Sequence, residues 1–377
     1  MIKGKVKEER ASIEKPSFNY RKLDALNQSM LKTFDSDPVQ FYNEFKLGKK
    51  RKNKSNNSLI IGDLVDFYLL ECAGDEQEFE NRFDEKFVLY QGKKGTGQVF
   101  QLADYLFEET ENCLNDKGEI TCSFMERFKV AYDRITQQDE KYKDSKSESG
   151  FKSMEKVLED FEKNGREYFQ LKMDNSDKTV VEISLVDKAK TVGNNILHDP
   201  FTEDVFAHDN EEYHTHFPIE WKYDLGNGKY IMCKSEIDTL LIDHEAKVIH
   251  PMDLKTTYDN ESFDYMYIKN SYYLQNAFYH KAVSVWAADN EMADYRVMPM
   301  VFIVGDTSSN NRRPLIYRTS EEDVKWGMEG FFLRGTYYRG VKALVRDIAW
   351  AEENDEWRCS REAFDKKGQM TLNINYD

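Results

Sequence analysis

The sequence lacks several features that would assign the protein to a familiar functional class. No run of about 18 apolar residues occurs in the chain, so no membrane-spanning helix is expected. No C-x-x-C pair is present, which argues against a zinc ribbon or an iron–sulfur cluster. Neither a G-x-x-x-x-G-K-S/T loop nor a G-x-S-x-G elbow occurs, so ATP hydrolysis and serine-hydrolase chemistry have no support.

Two further absences concern the compartment in which the protein works. The charged N-terminal stretch lacks the apolar segment of a signal peptide. The cysteines are scattered and odd in number, which predicts reduced thiols: Cys72, Cys113, Cys122, Cys233 and Cys359. We therefore expect a soluble, cytoplasmic protein without a membrane partner.

The sequence also lacks an overall excess of basic residues: the net charge of the 377 residues is −16. Such a charge opposes nonspecific attraction to nucleic acid over the whole surface. Binding of DNA would require a confined basic surface. The run 46–54 is one candidate and is equally well described as a solvated loop; the pair Arg312-Arg313 is another, but a turn with exposed arginines describes it better.

Four segments can be distinguished along the chain: N-terminal helices in 1–74, a charged helical region in 75–178, an α/β segment in 179–347 and a C-terminal extension in 348–377. Periodicity and turn residues within 179–347 predict helices at 180–197, 262–288 and 320–347 and strands at 212–222, 229–242, 247–256, 296–304 and 314–318. The fold class is therefore α/β, with a mixed central sheet flanked by helices.

Two of these predicted strands carry the candidate metal-binding and catalytic side chains. Asp253 and Lys255 are two residues apart on one strand, so their side chains share a face while Leu254 is directed into the core. The turn at 243–247 would fold the preceding strand back and bring Asp238 beside Asp253. Two converging carboxylates suit Mg²⁺, and an adjacent lysine can hold a water molecule or stabilise charge on a phosphate.

Other interpretations of the same residues remain open. Acid–apolar–base patterns are common on solvated strands. Glu236 shares the face of Asp238 and is either a further ligand or a solvated acid. His214 and His216 resemble a pair of zinc ligands, but spacing supplies no third ligand.

Three ordered motifs resemble the PD-(D/E)xK nuclease superfamily, and specifically its RecE-type recombination exonucleases of phages and prophages. Lys234-Ser-Glu-Ile-Asp238 is similar to the first aspartate motif of this family. His250-Pro-Met-Asp253-Leu-Lys255-Thr-Thr257 is similar to its D-L/V-K-T-T motif. Tyr272-Tyr-Leu-Gln275-Asn-Ala-Phe-Tyr279 is similar to its helical Y-x-x-Q-x-x-x-Y motif.

The resemblance extends upstream into the N-terminal helices. The segment 27–38 is similar to the first helix of these exonucleases. The segment 61–71 is similar to their G-x-x-x-H-x-x-x-L-E helix, with Asp66 where the family has a histidine ligand. An aspartate can still offer an oxygen to Mg²⁺, although the replacement is also compatible with an altered or inactive site.

The resemblance implies a fold, a cofactor and a set of site residues. It implies a restriction-endonuclease-like core built from 1–74 and 179–347, with 75–178 as a helical insertion. Mg²⁺, or Mn²⁺ in its place, would be bound by Asp66, Asp238, Asp253 and the carbonyl of Leu254. Lys255 would position or activate the attacking water. Gln275 and Tyr279, four residues apart on one helix face, would orient the site or contact the DNA backbone.

The implied activity is that of a Mg²⁺-dependent exonuclease acting on double-stranded DNA ends, in the cytoplasm of the host if the gene is carried by a phage. The implied partners are double-stranded DNA, a single-strand annealing protein and further copies of the chain in a homo-oligomer. Two alternatives remain: an endonuclease of the same superfamily, and a noncatalytic DNA- or protein-binding module that keeps the nuclease fold.

Overall fold

The computed structural model describes residues 15, 20, 23–49, 57–92, 97–115, 117–206 and 212–370. These belong to two compact units, one comprising Met1–Arg51 and Asn194–Asp377, the other Lys52–Gly193. Part of the predicted basic run 46–54 lies outside the described residues, namely 50–54. Within the described part, Lys46 pairs with Glu352, and Lys49 Nζ donates to Asn43 Oδ1 at 3.0 Å.

The regular elements are numbered in chain order. The helices are α1 Gln28–Ser36, α2 Pro38–Phe41, α3 Asn57–Asp66, α4 Glu76–Lys86, α5 Gly97–Asn112, α6 Phe124–Asp133, α7 Met154–Asn164, α8 Arg166–Asp174, α9 Ile183–His198, α10 Phe263–Lys269, α11 Tyr272–Asp289, α12 Glu321–Glu329, α13 Val341–Asn354 and α14 Arg361–Asp365. The strands are β1 Phe87–Tyr90, β2 Thr179–Glu182, β3 Glu212–Gly226, β4 Lys229–Asp243, β5 Val248–Thr257, β6 Arg296–Val297, β7 Val301–Asp306, β8 Leu315–Arg318, β9 Gly330–Leu333 and β10 Thr336–Arg339.

The N-terminal helices begin at side chains that cap free backbone N–H groups. The Asn27 side chain accepts from the N–H of Met30 at the start of α1. Asp37 accepts from the N–H groups of Val39 and Gln40, and Pro38 occupies the first position of α2. Asp37 is therefore the residue that caps α2.

A mixed sheet forms the centre of the first unit, in the order β3-β4-β5-β7-β8 with β6 also paired to β5. Strands β3, β4 and β5 are consecutive and antiparallel, while β7 lies parallel to β5. The β4–β5 turn is closed by Asp243 Oδ1, which accepts from the N–H groups of Glu245 and Ala246 at 2.9 and 2.8 Å. The predicted α/β class and mixed sheet with flanking helices are confirmed.

Helix α11 covers one face of this sheet with aromatic side chains. The ring centroids of Trp221 and Phe278 are 4.9 Å apart, and those of Phe217 and Trp286 are 5.0 Å apart. All four belong to one continuous buried cluster. The polar positions of α11 that face β5 are thereby fixed, because the helix is held along its length by this packing.

Two long helices predicted from the sequence are interrupted in the structure. The helix predicted over 262–288 is divided into α10 and α11 at Ser271, whose φ is +54°. The prediction of one helix over 320–347 is wrong for the middle of that segment, where β9 and β10 form an antiparallel hairpin. Their turn contains Arg334 and Gly335 with φ of +49° and +76°, values that a helix cannot accommodate.

The ends of other elements also differ from the prediction. The segment predicted as a helix over 180–197 begins as strand β2 and becomes α9 only at Ile183. The strand predicted over 296–304 is two strands, β6 and β7. The last long helix, α13, continues to Asn354 rather than ending at 347.

The second unit is mainly helical. Helices α5 to α8 enclose a buried cluster of their own, in which the ring centroids of Phe128 and Phe161 are 5.7 Å apart. Strands β1 and β2 pair in parallel. A Cβ atom on Gly193 would lie 2.5 Å from Cδ1 of Tyr68, so α9 packs closely against the segment that follows α3. The observed unit covers 52–193, whereas the helical region predicted from the sequence covers 75–178.

The cysteines do not all behave as predicted. Cys113 and Cys122 are joined by a disulfide, so the expectation of reduced thiols is wrong for this pair. Cys72 and Cys233 are buried thiols, and Cys359 is half-buried. Throughout the described ranges, no helix combines the length and the apolar character needed to span a bilayer.

Candidate active site

The predicted site residues of the first unit meet where β4 and β5 separate. Thr239 is paired with Met252, and beyond Met252 strand β5 pairs with β7 instead of continuing along β4. Asp238 precedes Thr239, and its Oδ2 accepts from the N–H of Leu254 at 2.9 Å. The Asp238 carboxylate thus satisfies a backbone donor that the departing strand leaves unpaired.

Asp253 is the most deeply buried acid of this region, with 1% of its side chain exposed. One carboxylate oxygen accepts from Lys255 Nζ and the other from the side-chain amide of Gln275 on α11. A buried carboxylate is tolerated only when it is paired and hydrogen-bonded. The structure therefore brings Asp253, Lys255 and Gln275 together.

Lys255 is held charged by its surroundings. Burial alone would lower the pKa of its ammonium group, but Asp253 and Asp238 hold that pKa above its usual value. Its Nζ also lies 5.2 Å from the ring centroid of Tyr272 and 3.4 Å from the carbonyl oxygen of Leu254, to which it donates. Lys255 is a fixed cation within hydrogen-bonding distance of both predicted metal-ligand positions on β5.

A second lysine of the site, Lys32 on α1, was not predicted. Its Nζ lies 4.8 Å from the centroid of the same Tyr272 ring. Within the described part of the chain no carboxylate pairs with it. The pKa of Lys32 is lowered to about 7, mainly by burial and also by repulsion from Lys255, while Asp253 offsets part of the shift. The spacing could not reveal this residue, because more than two hundred positions separate it from β5.

Tyr279 lies one turn after Gln275 on α11 and is buried beneath the acids. Burial raises the pKa of its phenol well above the usual value, and the neighbouring Tyr20, Asp238 and Asp253 raise it further. Glu236 contributes in the same direction. Tyr279 is a neutral hydroxyl beside a cluster of negative charge.

The N-terminal segment completes the edge of β4 that β5 leaves open. The N–H of Leu26 donates to the Met232 carbonyl at 2.9 Å, and its carbonyl accepts from the N–H of Lys234 at 2.8 Å. Lys234 Nζ donates to the carbonyl oxygens of Leu23 and Tyr20 at 2.7 and 3.1 Å. Lys234, part of the first predicted motif, therefore has a structural contact that anchors the segment leading into α1.

Asn276, beside Gln275 in the third motif, is another residue that the sequence analysis passed over. It is fully buried. Its Oδ1 accepts from the N–H of Met300 and the hydroxyl of Thr319, both at 3.2 Å, while Nδ2 donates to the Tyr267 hydroxyl at 3.2 Å. Asn276 thereby ties α11 to α10 and to the start of β7, and this helps to fix where Gln275 points.

Several weaker candidates have other partners. Arg312 pairs with Asp259, and Arg313 Nε lies 2.8 Å from Asp199 Oδ2, so neither arginine is a free DNA-binding cation. His214 Nε2 and His244 Nε2 lie 2.7 and 2.8 Å from the two carboxylate oxygens of Glu212. His216 lies on β3 between Thr215, paired with Thr239, and Phe217, paired with Ile237, and has a φ of +46°.

Asp66 belongs to the second unit, where it is the half-buried last residue of α3 and precedes a π-helical turn, Phe67–Glu71. Its predicted role as a metal ligand stays a prediction.

The donor atoms of the first unit are suitable for a hard dication. Asp238 and Asp253 offer carboxylate oxygens, and Leu254 offers a carbonyl that accepts a 3.4 Å bond from Lys255. Mg²⁺ commonly uses one or two protein carboxylates and completes its shell with water and substrate oxygens. The residues present therefore fit such an ion in chemical type. In comparisons with known proteins, neither a family model nor a curated protein matches this chain.

Proposed function

We propose that the protein is a Mg²⁺-dependent deoxyribonuclease that hydrolyses phosphodiester bonds at the ends of double-stranded DNA. The observation that carries the proposal is the Asp253 carboxylate, nearly inaccessible to solvent and bonded to Lys255 and Gln275, beside a second acid, Asp238. Concentrating charge in this way costs folding free energy. Such clusters are expected where catalysis requires them.

The topology supports the same proposal. Three antiparallel strands, β3 to β5, are followed by a crossover through α10 and α11 to β7, which is parallel to β5. This arrangement is compatible with the restriction-endonuclease-like core that the sequence motifs imply. It brings the first two motifs together on β4 and β5 and the third onto the helix that covers them.

The proposed chemistry divides among the residues as follows. Asp238, Asp253 and the carbonyl of Leu254 would hold Mg²⁺, or Mn²⁺ in its place. The bound ion would polarise the phosphate and lower the pKa of a bound water molecule. Lys255 orients the attacking water or stabilises the charge that develops on the phosphate. Gln275 keeps Asp253 in position by occupying its second oxygen.

Lys32 extends this scheme on the side of the substrate. Its ammonium group is close enough to Lys255 to be repelled by it, and it forms no ion pair with a described carboxylate. An incoming phosphate would supply the missing negative charge. We assign Lys32 to binding a phosphate oxygen next to the site, and we keep Asp66 and Tyr279 as a proposed ligand and a proposed substrate contact.

The proposal is tested with linear duplexes labelled at either end and with covalently closed circles, each with and without Mg²⁺. Degradation of linear duplexes that depends on Mg²⁺ is expected, with closed circles left intact. Lys255→Ala should abolish it, whereas Lys281→Ala, which removes an exposed lysine from α11, should not. Cleavage of closed circles would favour the endonuclease alternative.

Two further outcomes would reject the proposal. Binding of DNA with no cleavage under any divalent cation would favour the noncatalytic module. Full activity of Lys255→Ala would remove the site from the reaction. The homo-oligomer and the annealing-protein partner are separate parts of the proposal, which sedimentation and co-purification would test.

A further inference from the structure

A groove of about 1010 Å³ lies between α10, α12 and the β9–β10 hairpin in the first unit. Tyr273, at the start of α11, forms part of its wall. The neighbouring residue Tyr272 carries Lys32 and Lys255 over its ring. Two consecutive residues at the start of α11 therefore belong to different sites: Tyr272 to the candidate active site and Tyr273 to the groove.

The walls of the groove are mainly aromatic, with seven aromatic side chains against two aliphatic ones, Ile268 and Leu333. Two pairs of these rings stack: Phe331 and Tyr338 have centroids 5.1 Å apart at an interplanar angle of 12°, and Trp326 and Phe331 have centroids 5.9 Å apart at 30°. Trp326 is 43% exposed and Phe332 is 75% exposed. Flat, accessible rings of this kind are platforms for other flat groups.

The acidic and the basic side chains of the groove differ in their contacts. Asp323 Oδ2 accepts from the N–H and hydroxyl of Ser320 at the start of α12, and Asp264 accepts from the N–H of Tyr265. Lys269 and Arg334 form no ion pair with any described carboxylate. Both acids are therefore hydrogen-bonded within their own helices, whereas the two cations form no ion pair, and Lys269 Nζ lies 5.6 Å from the ring centroid of Tyr265 in the groove.

We propose that this groove binds single-stranded DNA by stacking bases on its aromatic side chains and contacting phosphates with Lys269 and Arg334. The proposal rests on the proposed nuclease function, since a strand freed at the site would be the ligand closest to hand. Unpaired bases expose the flat faces that such rings bind, whereas the bases of a duplex do not. A helical protein partner would be expected to select a groove with more aliphatic side chains.

Binding is measured by fluorescence anisotropy with a labelled oligothymidylate of roughly 15 nucleotides, in EDTA so that no cleavage occurs. Phe332→Ala and Trp326→Ala should each weaken binding by about tenfold or more, because a lost stacking contact has an effect of that size. Both side chains are exposed, so these variants are expected to fold. Tyr230→Ala, which removes an exposed aromatic from the β3–β4 hairpin, is the matched control and should bind normally.

The salt dependence of binding tests Lys269 and Arg334, and tryptophan fluorescence independently tests Trp326. Lys269→Ala and Arg334→Ala should each reduce the slope of log affinity against log salt by about 0.7. Trp326 is more exposed than the buried Trp221, Trp286 and Trp357. Quenching of tryptophan fluorescence by the oligonucleotide should therefore be lost in Trp326→Phe, although the affinity is kept.

The outcomes separate this inference from the proposed function. Normal oligonucleotide affinity in both Phe332→Ala and Trp326→Ala would overturn the inference, even if the protein cleaves DNA. The expected losses of affinity without any divalent-dependent cleavage would support the groove and reject the nuclease. A change of oligomeric state in the groove variants, with unchanged oligonucleotide binding, would identify the groove as a contact between copies and also overturn the inference.

Discussion

Two buried lysine–aspartate pairs, one in each unit, have similar environments and different neighbours. In the first unit Lys255 pairs with Asp253, and their side chains are 20% and 1% exposed. In the second unit Lys172 pairs with Asp104, and theirs are 18% and 8% exposed. We call these the site pair and the helical pair. Burial alone does not distinguish them.

The residues around the site pair and the helical pair distinguish the two pairs. Beside the helical pair, the Tyr168 hydroxyl donates to Asp104 at 3.1 Å, and the next charges form a pair of their own, Arg134 with Glu108. Beside the site pair stand a second acid, Asp238, and a second lysine, Lys32. A buried ion pair among neutral or paired neighbours is a structural feature. Surplus charge of both signs around such a pair is what indicates a reactive site.

The largest expected difference is in activity. Asp253→Asn should reduce Mg²⁺-dependent cleavage by at least about 10³-fold, because a ligand of the ion contributes several kcal/mol to stabilising the transition state. Asp104→Asn, the equivalent change in the helical pair, should leave the cleavage rate unchanged. Rates are compared on end-labelled duplex at saturating Mg²⁺. Equal effects of the two substitutions would mean that the site pair has no special role.

The next effect concerns the surplus lysine. Lys32→Met should lower cleavage by about 10²-fold, as expected for the loss of one donor to a charged phosphate. The free energy of unfolding should not fall, since Lys32 is half-buried, is repelled by Lys255 and forms no ion pair with a described carboxylate. Lys32→Arg should recover part of the activity. Cleavage kinetics and urea unfolding of all three proteins test this, and a stability loss that accounts for the inactivity would contradict it.

The smallest effect tests the helical pair as a stabilising contact. Lys172→Met should lower the free energy of unfolding by about 2 kcal/mol, because Asp104 would stay buried without its cation while keeping the Tyr168 hydrogen bond. Cleavage should be unaffected. Urea unfolding followed by circular dichroism provides the measurement. A variant as stable as the original protein would show that the pair contributes no net stability.

The part of the site that lies in short, contiguous motifs could be predicted from the sequence. Asp253 and Lys255 are two residues apart on a strand, and a tight turn returns that strand to Asp238, so local geometry decides their proximity. Gln275 follows from helix packing over the same sheet. Lys32 could not be found in this way, because its approach to Tyr272 depends on how α1 docks against elements far along the chain.

The β9–β10 hairpin was missed for a different reason. Its flanking helices, α12 and α13, have strong helical periodicity, and the aromatic residues between them continue the apolar pattern. The signal was nevertheless present in Arg334-Gly335 between two β-prone aromatic runs. Gly327 adds to the constraint: a Cβ atom there would lie 2.2 Å from the Tyr273 carbonyl oxygen, so α12 approaches α11 too closely for a larger residue.

The short bridge between Leu26 and β4 has a consequence for solubility. Where β5 turns away toward β7, the backbone of β4 at Met232 and Lys234 would present unpaired N–H and C=O groups to the surroundings. An exposed strand edge of this kind is a template on which another chain can add a strand and begin to aggregate. Leu26 occupies these groups from within the same molecule. Strands β4 and β5 can therefore separate beside Asp238 without exposing an unpaired strand edge to other protein molecules.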